Sequence, residues 1–145
     1  MWHGVLIGSL MVLAIIGFWP SPVDAPVQGE LAGVLKFLHT HGFPRWIDYS
    51  LVEESANVVL FIPLGVTVGL AFPDKQWWRN AAFGTMVSGC IELGQLLFLA
   101  SRFSSPVDVV TNTAGSVIGV LLAEAFLHAV EQKQAQRLPA LSLSQ

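Results

Sequence analysis

Glu92, Gln95, Asp108 and Asn112 sit inside long apolar runs between Ile91 and Gly119, with Arg102 in the short turn between the runs. A carboxylate drawn into a hydrocarbon layer is costly and is kept only with a partner or a task, and Arg102 is the nearest cation. Upstream, Glu54 and Asn57 share a helical face at i, i+3. Such a set can recognise a polar or anionic group. The guanidinium of Arg102 would meet phosphate or carboxylate through two parallel hydrogen bonds. The amides of Asn57, Gln95 and Asn112 supply further donors and acceptors, beside Glu54 and Asp108. Glu92 is the group that could give or take a proton as general acid or base. No Ser-His-Asp order, Walker loop or Cys/His metal spacing spells out a defined reaction, and the expected cofactor and metal content is none. His39 and His41 are two residues apart, so on a helix they point in different directions and do not share a metal.

The composition places these residues in a membrane. The chain has 145 residues, 53% apolar and 12% charged, with a mean hydropathy of +0.61, whereas an ordinary soluble domain is about 25% charged. A formal net charge of -3 excludes an electrostatic argument for nucleic acid. Cys90, alone in its chain, allows no internal disulfide, and its apolar setting reads as a small core residue with an inert thiol.

The elements that must position the polar residues follow in chain order. Gly4 to Trp19 is an uncharged apolar run read as a retained first transmembrane helix, short for a bilayer, with Trp2 and Trp19 as interfacial anchors. Pro20, Pro22 and Pro26 end it. The segment GELAGVLKFLHTHG carries Leu31, Val34, Leu35 and Leu38 at i, i+3, i+4 and i+7, which predicts a short amphipathic helix lying on the membrane surface. A second span runs from about Val52 to Phe72, with Pro63 inside it and the small-residue pair Gly65 and Gly69. The short link from Pro73 makes the second and third spans antiparallel neighbours. The third runs from about Asn80 to Ala100 with Gly84 and Ser88, and the fourth from about Pro106 to His128 with Gly115 and Gly119. The predicted architecture is all-α, a four-helix transmembrane bundle over residues 1–130 with a short interfacial amphipathic helix between the first and second spans. Residues 131–145 form a polar, flexible cytoplasmic tail. Lys75, Arg79, Lys133 and Arg137 on one side against Lys36, Arg45 and Arg102 on the other put the N- and C-termini inside.

At about 1.5 Å of rise per residue, Glu92 lies roughly 12 Å and Gln95 roughly 7 Å below the end of the third span. By the same rise, Asp108 and Asn112 lie about 3 Å and 9 Å into the fourth, and Asn57 about 5 Å into the second. Three spans therefore aim polar faces at one outward-facing level. The same residues could serve only to hold helices together, since interhelical hydrogen bonds in membranes contribute about 0.6–2 kcal/mol each. The inner halves of the third and fourth spans carry no polar stepping stones for an ion path apart from Glu124, which reads as an interfacial residue.

The succession E-x-x-N before FIPLG (Glu54, Asn57, Phe61 to Gly65), S-x-x-I-E-x-x-Q (Ser88 to Gln95) and R-x-x-x-x-x-D-x-x-x-N-x-x-G (Arg102, Asp108, Asn112, Gly115) resembles the VanZ-like family of small bacterial membrane proteins. The resemblance covers most of the chain. It implies a small helical integral membrane protein of a bacterial cell envelope, expected as a multi-pass protein of the cytoplasmic membrane, in a family named for a member giving low-level resistance to the glycopeptide teicoplanin. It also implies that Glu92, Gln95, Arg102, Asp108 and Asn112 are the family's polar positions. Two readings from different classes follow. In one, the pocket binds, and through Glu92 processes, a lipid headgroup, a lipid-linked envelope intermediate or a lipoglycopeptide. In the other, the bundle is a non-catalytic scaffold for a membrane-protein partner or for further copies of itself.

Overall fold

The computed structural model describes residues 1–19, 28–99 and 105–142, with side chains described for 1–19, 29–99 and 105–136. The breaks expected at Pro20, Pro22 and Pro26, the turn holding Arg102 and the last residues of the tail lie outside the described residues. Five helices follow one another: α1 (Trp2–Gly17), α2 (Gln28–Thr40), α3 (Tyr49–Ala71), α4 (Trp77–Phe98) and α5 (Pro106–Ser142). No strand occurs among the described residues.

Three of these helices, α3, α4 and α5, are long and apolar enough to cross a membrane. α1 is apolar but has 16 residues, which at 1.5 Å per residue is about 24 Å against a hydrocarbon core of about 30 Å. The four-span expectation is therefore met only in part: three helices are long enough to span, and α1 is a shorter apolar helix. α5 is longer than the hydropathy suggested. It continues past the end expected near His128 as a 37-residue helix to Ser142 that includes Pro139; as far as Arg137 the extension, EQKQAQR, is built from good helix formers.

Local signals set the helix ends. Asp48 caps α3, its carboxylate accepting from the Leu51 N–H at 3.1 Å. Pro63 leaves α3 continuous and lies on its exposed side, as does Val59, whose carbonyl the proline ring cannot serve.

Hydrogen bonds and close approaches fix the directions. α1 is antiparallel to α3, with the His3 and Phe72 rings edge to face at 5.2 Å. α4 is antiparallel to α3, as the short link requires. The tightest packing, however, is between α3 and α5, which run parallel. A Cβ built on Gly115 would fall on the Val58 carbonyl oxygen, on Gly119 on that of Ile62, and on Gly65 on that of Ser116. At Gly69 it would meet the Ala123 Cβ at 2.7 Å. Two small-xxx-small faces thus bring the α3 and α5 backbones together, where dispersion between close backbones replaces the hydrophobic effect. Leu6, Leu13, Phe61, Leu64, Val68 and Ala71 pack beside this seam as the apolar core.

The surface is apolar where a soluble protein would be polar. On α4, Glu92 is 7% exposed while Phe98 is 78% exposed, and Leu93, Leu96 and Leu97 face outward with it. Ser88 and Ser116 are fully buried. This inversion suits a lipid solvent, which satisfies no polar group but accepts any apolar one. All five tryptophans are exposed and lie at the two ends of the bundle, Trp19 and Trp46 at one, Trp2, Trp77 and Trp78 at the other, as interfacial belts do. Cys90 corrects the core assignment made from its apolar run: it is exposed on the outer face of α4.

Candidate functional site

On α4, Gly84, Ser88 and Glu92 recur every fourth residue, and on α5 Asp108, Asn112 and Ser116 do the same, so each set forms one stripe. The two helices are antiparallel and the stripes face each other one turn at a time. Asn112 Nδ2 donates to Ser88 Oγ at 2.9 Å. One turn deeper, the Ser116 side chain occupies the space that a Cβ on Gly84 would take. Beside them Thr113 Oγ1 donates to Thr85 Oγ1 at 3.1 Å. At the open end of the ladder, Glu92 Oε2 accepts from the Ser105 backbone N–H at 3.0 Å, which ties α4 to the residue that leads into α5.

Two further helices reach the same end. From α3, Asn57 Nδ2 donates to Asp108 Oδ1 at 3.1 Å. From α4 toward α1, Gln95 Nε2 donates to the Gly17 carbonyl at 2.8 Å, satisfying an orphan carbonyl of the α1 C-terminus. Glu92, Gln95 and Asn112 are all buried, at 7%, 6% and 5% exposure, while Asn57 and Asp108 are half-buried nearer the rim.

The sequence-derived residues therefore divide. Glu92, Asn57, Asp108 and Asn112 come together around the start of α5. Gln95, expected to share a pocket with Glu92, is spent on α1. Glu54 is half-buried, and its carboxylate has no hydrogen-bond or ion-pair partner among the described residues. Arg102 lies outside the described residues. Four participants carried weaker signals in the sequence. Ser88 and Ser116 stand four residues from Glu92 and Asn112, a spacing that marks them in retrospect. The Ser105 N–H and the Gly17 carbonyl are backbone groups and leave no side-chain trace.

The inner halves of α4 and α5 also differ from expectation. Thr85, Thr113 and Ser116 carry polar atoms inward past the Asn112 level, and the ladder stops only where Val120 and Ala123 are fully buried. Within it, Asn112 Oδ1 and Ser116 Oγ are buried without a hydrogen-bond partner. Buried polar atoms are nearly always paired, so these two stand out among the described residues. Among the described residues, no group of three or more His, Cys, Asp and Glu side chains could hold a metal ion.

Ser88→Ala should destabilise the fold by about 1–2 kcal/mol, since it strands the Asn112 amide in an apolar setting. Asn112→Leu in that background should recover part of the loss. Reversible unfolding in detergent followed by circular dichroism measures both.

A profile of the VanZ/LLP1 family matches residues 6–127. The chain belongs to the VanZ/LLP1 family. That match runs from α1 into the second half of α5 and takes in every candidate site residue. Among curated proteins, Protein VanZ of Enterococcus faecium is 29% identical over 102 residues, covering 70% of this chain and 58% of that protein. The aligned part is thus less than two thirds of the relative's own length. No solved structure matches. The Glu92 and Asn112 stripes thus belong to the VanZ/LLP1 region itself, whereas the polar end of α5 beyond residue 127 lies outside it.

Proposed function

We propose that this VanZ/LLP1 protein sits in the cytoplasmic membrane of a bacterium with both termini in the cytoplasm. In this reading the polar cluster faces outward and binds the polar head of an envelope lipid, a lipid-linked intermediate or a lipoglycopeptide. The observation that carries the reading is Glu92: a carboxylate 7% exposed, with one backbone N–H on Oε2, in a bundle whose outer surface is hydrocarbon. A carboxylate is an expensive way to join two helices, and amides do that work elsewhere in this protein. Asn112 Oδ1 supports the reading because it can accept a ligand donor without breaking an existing bond. Arg102 and Asp108 would add charge-assisted contacts to a phosphate or an ammonium. Proton transfer by Glu92 is the route by which binding would lead to chemistry. The orientation rests on the dense cationic loop of Lys75 and Arg79 and on Lys133 at the far end of α5.

A second reading has its own observation. The bonds Asn57 to Asp108, Gln95 to Gly17 and Asn112 to Ser88 each join two helices, which is what a scaffold binding a membrane-protein partner or another copy of itself needs. Headgroup profiling of cells carrying wild type, Glu92→Gln or Arg102→Ala separates the two. A changed envelope-lipid composition with intact folded protein is expected for both variants. Identical profiles from folded variants leave the scaffold reading.

A further inference from the structure

A second cluster lies outside the bundle, where α2 turns back on itself. Lys36, His39 and Thr40 share one face of α2 at i, i+3 and i+4. The helix stops at Gly42, which adopts φ 89. The Gly42 N–H donates to the His39 carbonyl at 3.3 Å and the Phe43 N–H to the Leu38 carbonyl at 3.2 Å. These two bonds reverse the chain at a left-handed residue that glycine adopts without strain. Pro44 forbids further helix, and His39 Nε2 donates to the Ile47 carbonyl at 3.0 Å, pinning the returning segment to α2. Arg45 is thereby brought to the same cavity as Lys36. That cavity is a wide, open surface groove, and Leu35, Lys36, His39, Phe43 and Arg45 are among its walls.

Two cations in one cavity repel each other unless an anion joins them, and neither Lys36 nor Arg45 has a carboxylate partner among the described residues. Leu35 and Phe43 give the same cavity an apolar wall. Phe37 and Trp46, 60% and 68% exposed, follow Lys36 and Arg45 directly in the chain. Exposed aromatic rings beside cations mark a surface that sits at the level of lipid headgroups. We propose that this cavity binds the phosphate of an anionic membrane lipid. Lys36 and Arg45 hold the phosphate oxygens, and Leu35 and Phe43 pack on the glycerol and first acyl carbons. The aromatic flank selects lipid over free phosphate as the occupant. The site lies at the end of the bundle where α3 begins, yet it shares no residue with the Glu92 cluster and stands independently of the function proposed for it.

The test uses the full chain in nonionic detergent, titrated with phosphatidylglycerol or phosphatidylcholine, with bound lipid counted by native mass spectrometry. Phosphatidylglycerol should bind in preference. Lys36→Ala should weaken it about fivefold, and Lys36→Ala with Arg45→Ala about twentyfold. Lys75→Ala with Arg79→Ala removes the same charge from the other end of the bundle and should change little. Gly42→Ala keeps every charge but strains the reversal that brings Arg45 to the cavity, and should also weaken phosphatidylglycerol. Circular dichroism confirms that each variant is folded. Glu92→Gln should leave the preference intact, which keeps this site separable from the bundle cluster. Equal loss in the two double variants, no preference for phosphatidylglycerol, or displacement of the lipid by inorganic phosphate at matched ionic strength would each overturn the proposal.

Discussion

Gly119→Leu should yield no folded protein. At this position the nearest atoms to a new Cβ are all backbone: the Ile62 carbonyl oxygen, the Val66 nitrogen at 2.7 Å and the Gly65 Cα at 2.9 Å. A flexible side chain can rotate out of the way, as Ile91 can for Gly17, where the close atom is a Cγ2 at 2.9 Å. Backbone cannot. Seating a leucine requires α3 and α5 to separate along the most extensive helix–helix interface of the bundle. Overpacking a well-filled core costs about 1–3 kcal/mol where side chains yield. Here the cost must approach the 5–15 kcal/mol total stability of an ordinary protein. Gly119→Ala should be intermediate, folded but melting lower. Gly89 is the internal control, since a Cβ there meets nothing within 4 Å and Gly89→Leu should remain folded. Yield and monodispersity on size exclusion, with melting by circular dichroism, decide the matter.

The second large effect concerns Glu92, whose variants should separate binding from folding. Glu92→Gln keeps the shape and leaves a carbonyl oxygen that can accept from the Ser105 N–H, so the melting temperature should stay near that of wild type. Glu92→Ala strands that N–H and frees the start of α5, at a cost of about 1–3 kcal/mol. Ligand capture should fall at least tenfold in both variants, because only the carboxylate charge, absent from each, distinguishes recognition from helix packing. Equal capture by wild type and Glu92→Gln would mean that the charge has no role in recognition.

The sequence conveyed the class of fold because bilayer thickness is written in run lengths, and three runs reach it. Helical rise converts residue number into depth, and Asn57 and Asp108, placed near one level by it, are hydrogen-bonded. The sequence could not convey which faces pair. In a lipid solvent, outward and inward faces are both apolar, so the periodicity that separates core from surface in soluble helices is lost; Cys90 was placed inside for that reason and lies outside. The glycine pairs showed that close contacts exist, but not that α3 would take α5 rather than its chain neighbour α4 as its closest partner. Gln95 shows the same limit from the polar side: spacing placed it beside Glu92, while its actual partner is a main-chain carbonyl at the end of α1, which no residue letter records.

Lipid co-purified with the protein tests most directly whether the buried groups of the bundle form a binding site. Wild type and Glu92→Gln would be isolated from the same membranes, and their bound lipids identified by mass spectrometry. Wild type should carry one class of polar lipid enriched over the membrane average, and Glu92→Gln should carry that class at or near the average. Apart from the anionic lipid proposed for the Lys36 and Arg45 site, the same enrichment in both proteins, or none in either, would contradict the account and leave the cluster as helix packing alone.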